Sequence, residues 1–549
     1  MHINPIFAID GYKLGHRAQY PKGTTRIFGN FTPRTNKHFK SPFFNSKAGS
    51  PLIWAGTQAF LLQWFIDEFK ENFFEKPRKE VVEEFKAFCD EYIGPDAVSE
   101  DGVEALHKLG FLPLRIKSVP EGSMVMMGTP VLTVINTLPD FYWLVNFFET
   151  LMSAELWPVA TAATIAFNYK CIGTYWSHIT CDNNDHIPYQ FHDFSARGDM
   201  GMWACTLVGM GHLMNFRGTD SVFARMRVKE QYSPKGILAQ SVNATEHSVM
   251  CMGQKESEID TFRRLINEVY PTGILSIVSD TWDFWKVVTE FLPELKDEIV
   301  ARQGTVVIRP DSGDPVHILC GRDVVDLSSR EHLGEVQTIA SKDKHVQAGA
   351  VVKYQGEYFD FVDGVLTKIP EHVVAGLISC LWRTFGGTVN KKGYKVLDAH
   401  IGAIYGDSIT MARAEEIFSR LANKGFASSN VVLGVGSYTY QYVTRDTFGF
   451  AMKATWGVVD GKAREVFKDP ATDDGTKKSV KGLVTHSVDS SGHWTFKDQC
   501  SEEDEAITDL DTVFLNGTLL NRVDLDTIRS RIDSLVGQAV NVRLRLMGS

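Results

Sequence analysis

The run Thr305-Val-Val-Ile-Arg-Pro-Asp-Ser-Gly-Asp-Pro315 constrains the fold more than any other stretch. Its β-branched apolar residues favour a buried strand. The strand stops at Arg309, Asp311, Ser312 and Gly313, so a cation, a carboxylate and a glycine turn fall at one rim of a sheet. In α/β barrels and open α/β sheets, chemistry sits at that rim. The pattern recurs: Ile274-Leu-Ser-Ile-Val-Ser ends at Asp280, Ala403-Ile-Tyr at Gly406-Asp407, and Val431-Val-Leu at Gly434-Val-Gly436. Four such endings point to one shared site, because independent core strands have no reason to repeat them.

The clearest unit runs from Ala403 to Gly436. A short strand is followed by Met411, Ala414, Ile417, Phe418 and Leu421, at helical spacing, and Gly425 fits a helix stop. The next strand begins at Val431. This βαβ crossover implies a parallel sheet. Elsewhere, Phe60, Leu61, Trp64, Phe65 and Phe69 predict a helix within 51–92 with one buried face. Residues 111–136 alternate like β-structure, 140–170 read as helical, and 1–40 as extended. The strand–helix rhythm is lost after Pro315, where Tyr354-Gln-Gly-Glu-Tyr358 reads as a hairpin, so about 318–390 is expected to be an insertion. The expected organisation is an α/β barrel-like catalytic domain over 186–436. Residues 1–185 and 437–549 would form a second, mixed β-rich and helical domain.

Composition excludes some functions. The 549 residues are 44% apolar and 23% charged, ordinary values for a folded soluble chain. A net charge of −10 gives nucleic acid or an anionic membrane no global attraction, so any phosphate must be held locally. The eight cysteines form no close pair and no zinc-ligand spacing, which reads as reduced thiols in a cytoplasmic protein. No signal peptide or membrane span is expected.

Several side chains could carry chemistry. Phe194 beside a glycine-bearing turn could stack on a flat ring, and Arg197 could meet a phosphate. Taken alone, both read more simply as core and structural ion pair. Asp220 reads by default as the cap of a helix beginning near Ser221. His247, next to Glu246, could act as a base or nucleophile, with Asp280 to orient it. The glycines at Gly406-Asp407 and Gly434–Gly436 suit backbone contacts to a phosphate. Lys468, Lys477, Lys478 and Lys481 supply further cations, the last three more simply as a solvated face.

As a set, these segments resemble the nicotinate/nicotinamide phosphoribosyltransferase family. The match runs through Asp10-Gly-Tyr-Lys13, Phe191-His-Asp-Phe-Ser-Ala-Arg-Gly198, Asn215-Phe-Arg-Gly-Thr-Asp220 and Ala244-Thr-Glu-His-Ser248. It continues through Val278-Ser-Asp280, Ile308-Arg-Pro-Asp-Ser-Gly313, Gly406-Asp407, Thr444-Arg-Asp446 and Val466-Phe-Lys-Asp-Pro470. The resemblance implies a type II phosphoribosyltransferase-like irregular α/β barrel with a second β-rich domain. It implies that nicotinamide displaces pyrophosphate from C1 of 5-phosphoribosyl-1-pyrophosphate, with nicotinate as the alternative substrate. Mg2+ would ride on the pyrophosphate, and ATP would be a coupling co-substrate through a phosphorylated His247, with Asp280 and Glu246 beside it.

The same resemblance assigns the other roles. Phe194 would cover one face of the ring, and Tyr12, with Asp10 nearby, would come from the second subunit of a homodimer. Asp220 would take the carboxamide N–H, with Ser241, Ser276 and Arg309 around the ring. Asp311 would hold the ribose hydroxyls, and Gly406, Asp407, Gly436 and Ser437 the ribose and 5′-phosphate. Arg34, Arg197, Arg445, Lys453 and Lys468 would be the phosphate and pyrophosphate cations. The chain departs from the family where Ser437 and Tyr438 follow Gly436 in place of further glycine, and where Ser195-Ala196 replaces a Gly-Tyr pair.

Overall fold

The computed structural model describes residues 4–44, 50–406, 408–467, 480–489 and 492–547. The chain does not begin extended. Helical turns at Pro5–Phe7, Gly11–Gly15 and His16–Gln19 come first. The Asn4 side chain accepts from the Ile6 N–H at 3.2 Å and starts the first of them. The predicted helices and strands of the first 180 residues are present. Helical backbone covers 57–74, with Phe60, Leu61, Phe65 and Phe69 buried.

Strands β1 (Thr24–Thr32), β2 (Leu114–Ser118) and β3 (Leu132–Asn136) join four strands from beyond residue 450 in one seven-stranded antiparallel sheet. β1 pairs with Ala451–Val459 on one side and β3 on the other, and β2 pairs with Asp511–Leu515. Helix α1 (Glu149–Thr180) then leads from this sheet to the second one.

The second sheet has six strands: β4 (Phe191–Asp193), β5 (Asn243–Ala244), β6 (Leu275–Val278), β7 (Val306–Arg309), β8 (Ile401–Tyr405) and β9 (Val431–Val435). Their spatial order is β4-β9-β8-β7-β6-β5, and every pairing is parallel. Isolated parallel bridges Asp193↔Thr219 and Gly218↔Gln240 carry the pairing onward from β4 to the segment entering β5. The sheet thus returns on itself through irregular backbone. Helix α2 (Met202–Leu213) packs on α1, and α3 (Val222–Tyr232) follows it. Helix α4 (Pro315–Cys320) follows β7 where no helix was expected, and α5 (Met411–Asn423) follows β8, as the spacing of its apolar residues predicts. Gly425 lies just past α5 at φ 75°.

The insertion has its own small core. Strands Val324–Asp326, Val351–Tyr354, Glu357–Val362 and Val365–Ile369 form a four-stranded sheet. It covers Val336, Ala340, Val346, Val352 and Tyr354. The predicted hairpin turns at Gln355 and Gly356, both with positive φ. This separate core is narrower than the stretch 318–390. Helix Leu377–Phe385 turns Leu377, Ile378, Leu381 and Phe385 into the main core instead.

One buried cation locks the barrel to the C-terminal helix Leu525–Met547. The Arg529 guanidinium donates to the carbonyls of Leu213 (2.7 Å), Phe216 (2.8 Å), Leu238 (2.8 Å) and Ile237 (3.2 Å). Burial pulls its pKa down to about 10, helped by nearby Arg217. The planar fork reaches carbonyls on two segments, which a compact ammonium cannot do. Arg529→Lys is therefore expected to leave buried acceptors unpaired and to destabilise the fold by about 2 kcal/mol or more, read as a fall in chemical-denaturation midpoint. An unchanged midpoint would remove Arg529 from this role.

Candidate active site

Because all six barrel strands run parallel, their C-terminal ends share one rim. A cavity of about 770 Å³ opens there. Nine residues singled out from the sequence line it: Phe194, Arg197, Asp220, His247, Arg309, Asp311, Gly406, Gly436 and Ser437. They come from the loops after β4, β5, β7, β8 and β9 and from the 217–220 segment, so three of the four polar strand endings meet at the cavity, and the fourth, Asp280, is tied to it through His247 and Asp311.

Asp280 organises the loops after β5, β6 and β7. Its carboxylate accepts from His247 Nε2 (3.2 Å), the Asp311 backbone N–H (3.0 Å) and the Ser312 hydroxyl (2.6 Å). Burial alone would raise its pKa, but these hydrogen bonds outweigh it and hold the carboxyl below its usual range. Glu246 does not meet His247 in the same way; its carboxylate takes the Ser248 hydroxyl. Arg309 donates to the Thr245 carbonyl at 2.8 Å and lies 4.0 Å from Asp311.

Asp220 is not a helix cap. Ser221 occupies the cap position of α3, and Asp220 lines the cavity with its carboxylate partly exposed. Its Oδ1 accepts from both His192 Nε2 (2.9 Å) and Ser241 Oγ (2.5 Å). Burial would push this carboxyl up, but His192, Ser241 and the charge of Arg309 more than offset it and keep it low. The capping expectation fails because two donors on neighbouring segments compete for that side chain. Two further polar atoms are conspicuous. Among the described residues, neither the buried Ser276 hydroxyl on β6 nor Arg309 Nε on β7 has a hydrogen-bond partner.

Close backbone approach shapes the floor. A Cβ on Gly434 would stand 2.7 Å from the Phe194 ring and 2.9 Å from Gly406. One on Gly198 would stand 2.0 Å from the Ser437 hydroxyl, so Ser437 fills the space a side chain at 198 would need. The sequence analysis missed Ser408, Ile409, Thr410 and Thr439, which also line the cavity, and gave Tyr438, another lining residue, no role. Thr410 caps α5 by accepting from the Arg413 N–H, a signal its type and position offered.

Other expected site residues lie elsewhere in this chain. Asp10 accepts from Thr150 Oγ1 at 2.6 Å near the start of α1, and the neighbouring Tyr12 is 62% exposed. Arg34 donates to the Gly449 carbonyl, Arg445 pairs with Asp446, and Lys453 stands opposite Asn30 in the antiparallel sheet. None of these lines the cavity of a single chain. Asp407, Lys468, Lys477 and Lys478 lie outside the described residues. Lys481 sits over the Phe467 ring at 3.9 Å.

Fold and site together define an α/β-barrel enzyme whose rim offers an aromatic shelf, carboxylates, arginines and glycine turns to one small substrate pair. The sequence profile of the nicotinate phosphoribosyltransferase (NAPRTase) family matches residues 189–518. The chain belongs to this family. A protein from Acinetobacter baylyi named nicotinamide phosphoribosyltransferase is 46% identical over 537 residues, covering 96% of this chain and 97% of its own length. A Mycoplasma pneumoniae protein of the same name is 31% identical over 88% of this chain and 95% of its own. The crystal structure of a nicotinate-nucleotide pyrophosphorylase from Pyrococcus furiosus shares the fold. It has a TM-score of 0.50 at 12% identity and covers 98% of this chain and 97% of that one.

The depressed Asp280 has a measurable consequence. A carboxyl held below its unfolded value stabilises the fold above that value, and the contribution is lost as pH falls through the folded pKa. The thermal midpoint of the wild-type chain is expected to exceed that of Asp280→Asn by a constant margin above about pH 5. The margin should shrink below about pH 4. A margin independent of pH down to about pH 3 would contradict the ionic role of Asp280.

Proposed function

We propose that this chain is a nicotinamide phosphoribosyltransferase: nicotinamide displaces pyrophosphate from C1 of 5-phosphoribosyl-1-pyrophosphate and gives nicotinamide mononucleotide. The observation that carries this reading is Asp220. With Oδ1 taken by His192 and Ser241, its second oxygen is left to accept a carboxamide N–H. The same ionised oxygen would repel nicotinate. Like charges about 4 Å apart at an effective dielectric near 20 cost about 4 kcal/mol. The family profile carries nicotinate in its name, and the carboxylate at 220 favours the amide over the acid.

The rest of the cavity suits the reaction. Phe194 offers the ring a stacking face, and Arg309, which also lines the cavity, is a donor suited to a substrate acceptor. Asp311 would accept the ribose hydroxyls and place negative charge near an oxocarbenium-like C1. Gly406, Gly436 and the Ser437 hydroxyl would bind the 5′-phosphate, with Arg197 facing the pyrophosphate.

Mg2+ fits as a companion of the substrate. Asp311, a carboxylate of the cavity lining, would be its protein contact, and magnesium otherwise keeps water and phosphate oxygens as ligands. When bound it would neutralise the departing pyrophosphate. ATP would couple through His247. With Nε2 held by Asp280, the other imidazole nitrogen is left as the nucleophile toward a γ-phosphoryl group.

A homodimer would complete the pocket with Tyr12 and Asp10 of the second subunit. Exposed Met200, Met202, Trp203, Val222, Phe223 and Met226 give the surface of α2 and α3 an apolar character that suits such an interface. Among the described residues no helix is long and apolar enough to cross a membrane, and a cytoplasmic location fits this reading.

Turnover of nicotinamide against nicotinate, with and without ATP, tests the proposal. The wild-type chain should favour nicotinamide by about 100-fold or more in kcat/KM, and Asp220→Asn should narrow that ratio at least about 10-fold. Preference for nicotinate, or full discrimination in Asp220→Asn, would overturn the reading. His247→Ala should retain basal synthesis yet lose its response to ATP. An undiminished ATP response would remove His247 from the coupling step.

A further inference from the structure

The reading of Asp220 leaves one residue of the same wall without a role. His192 sits on β4 between Phe191 and Asp193, both fully buried. Its Nε2 lies 2.9 Å from Asp220 Oδ1. Its ring stands 4.5 Å, centroid to centroid, from Phe194 at an interplanar angle of 35°. On the far side, Nδ1 comes within 2.8 Å of where a Cβ on Gly218 would be. The imidazole is thus wedged between the aromatic shelf, the carboxylate and the backbone at 218.

An ionised carboxylate only accepts hydrogen bonds, so Nε2 carries the proton it shares with Asp220. The terminal torsion of an aspartate is broad and roughly two-fold. Ser241 alone would hold Oδ1 through a single rotatable hydroxyl. A second donor from a rigid ring fixes the plane of the carboxylate. It also ties that plane to the Phe194 face on which a substrate ring would rest.

We propose that His192 is a specificity-determining positioning residue. By donating to Oδ1 of Asp220 while packing on Phe194, it sets the second carboxylate oxygen at the height and angle of an aromatic carboxamide N–H. This rests on the functional reading above and goes beyond it, because discrimination then depends on a residue that never touches the reacting atoms. A carboxylate free to rotate would lose both halves of the selection. It would meet the amide less well, and it could turn its charge from the acid.

Three variants separate this role from simple packing. His192→Leu keeps bulk and removes the donor. His192→Gln places an amide N–H near the Nε2 position, and His192→Asn carries one that stops short of Asp220. For each, kcat and KM would be measured with nicotinamide and with nicotinate at saturating 5-phosphoribosyl-1-pyrophosphate, alongside the thermal midpoint. His192→Leu is expected to raise KM for nicotinamide about 10-fold or more with kcat held within about 3-fold, and to narrow discrimination by a similar factor. His192→Asn should behave alike, whereas His192→Gln should recover most of the loss. Unchanged discrimination in His192→Leu or His192→Asn would overturn the proposal. So would equal losses for both substrates without recovery in His192→Gln, the mark of a structural role. A wild-type chain that does not use nicotinamide at all would instead sink the functional reading beneath it.

Discussion

The carboxylate of Asp280 is the constraint on which the site depends. It ends β6 and binds groups from the loops after β5 and β7, so three chain segments converge on one buried anion. Desolvating that anion is costly, and the donors it gathers more than offset the cost. His247 and Asp311 are therefore not independent features of the rim. Each takes its position partly from the same carboxylate, and changes at the two should combine non-additively.

A second pairing works the same way at Asp220. Asp220 accepts two donors on one oxygen and presents the other. Both carboxylates stay ionised although partly desolvated, because protein donors replace the lost water. A chain with a net charge of −10 can still serve anionic substrates by this route. Its cations are placed one at a time, as with Arg197 and Arg309 at the cavity.

Much of the fold was legible because its signals are local. A β-branched run ending in Arg309 and Asp311 reads as a strand and its rim, and the crossover from Ala403 to Gly436 reads as a parallel pair. What stayed hidden depends on contacts between distant segments. Nothing near Asp220 shows that His192, 28 residues earlier, donates to it, so capping looked the simpler explanation. Arg34, Arg445 and Lys453 sit on or beside the antiparallel sheet, a placement that residue type does not reveal. The opening turns were read as extended because single-turn helices rest on one cap, here Asn4, and carry almost no periodicity.

The contact between Gly198 and Ser437 limits how this site can change over time. A methyl group at 198 would fall on the serine oxygen, while the serine, at the head of a helical turn, gains a place only because 198 is bare. Substitution at the first position requires the serine to shift or to be replaced by a smaller residue. Serine at 437 thus restricts which residue can stand at 198, 239 positions earlier in the chain (437 − 198).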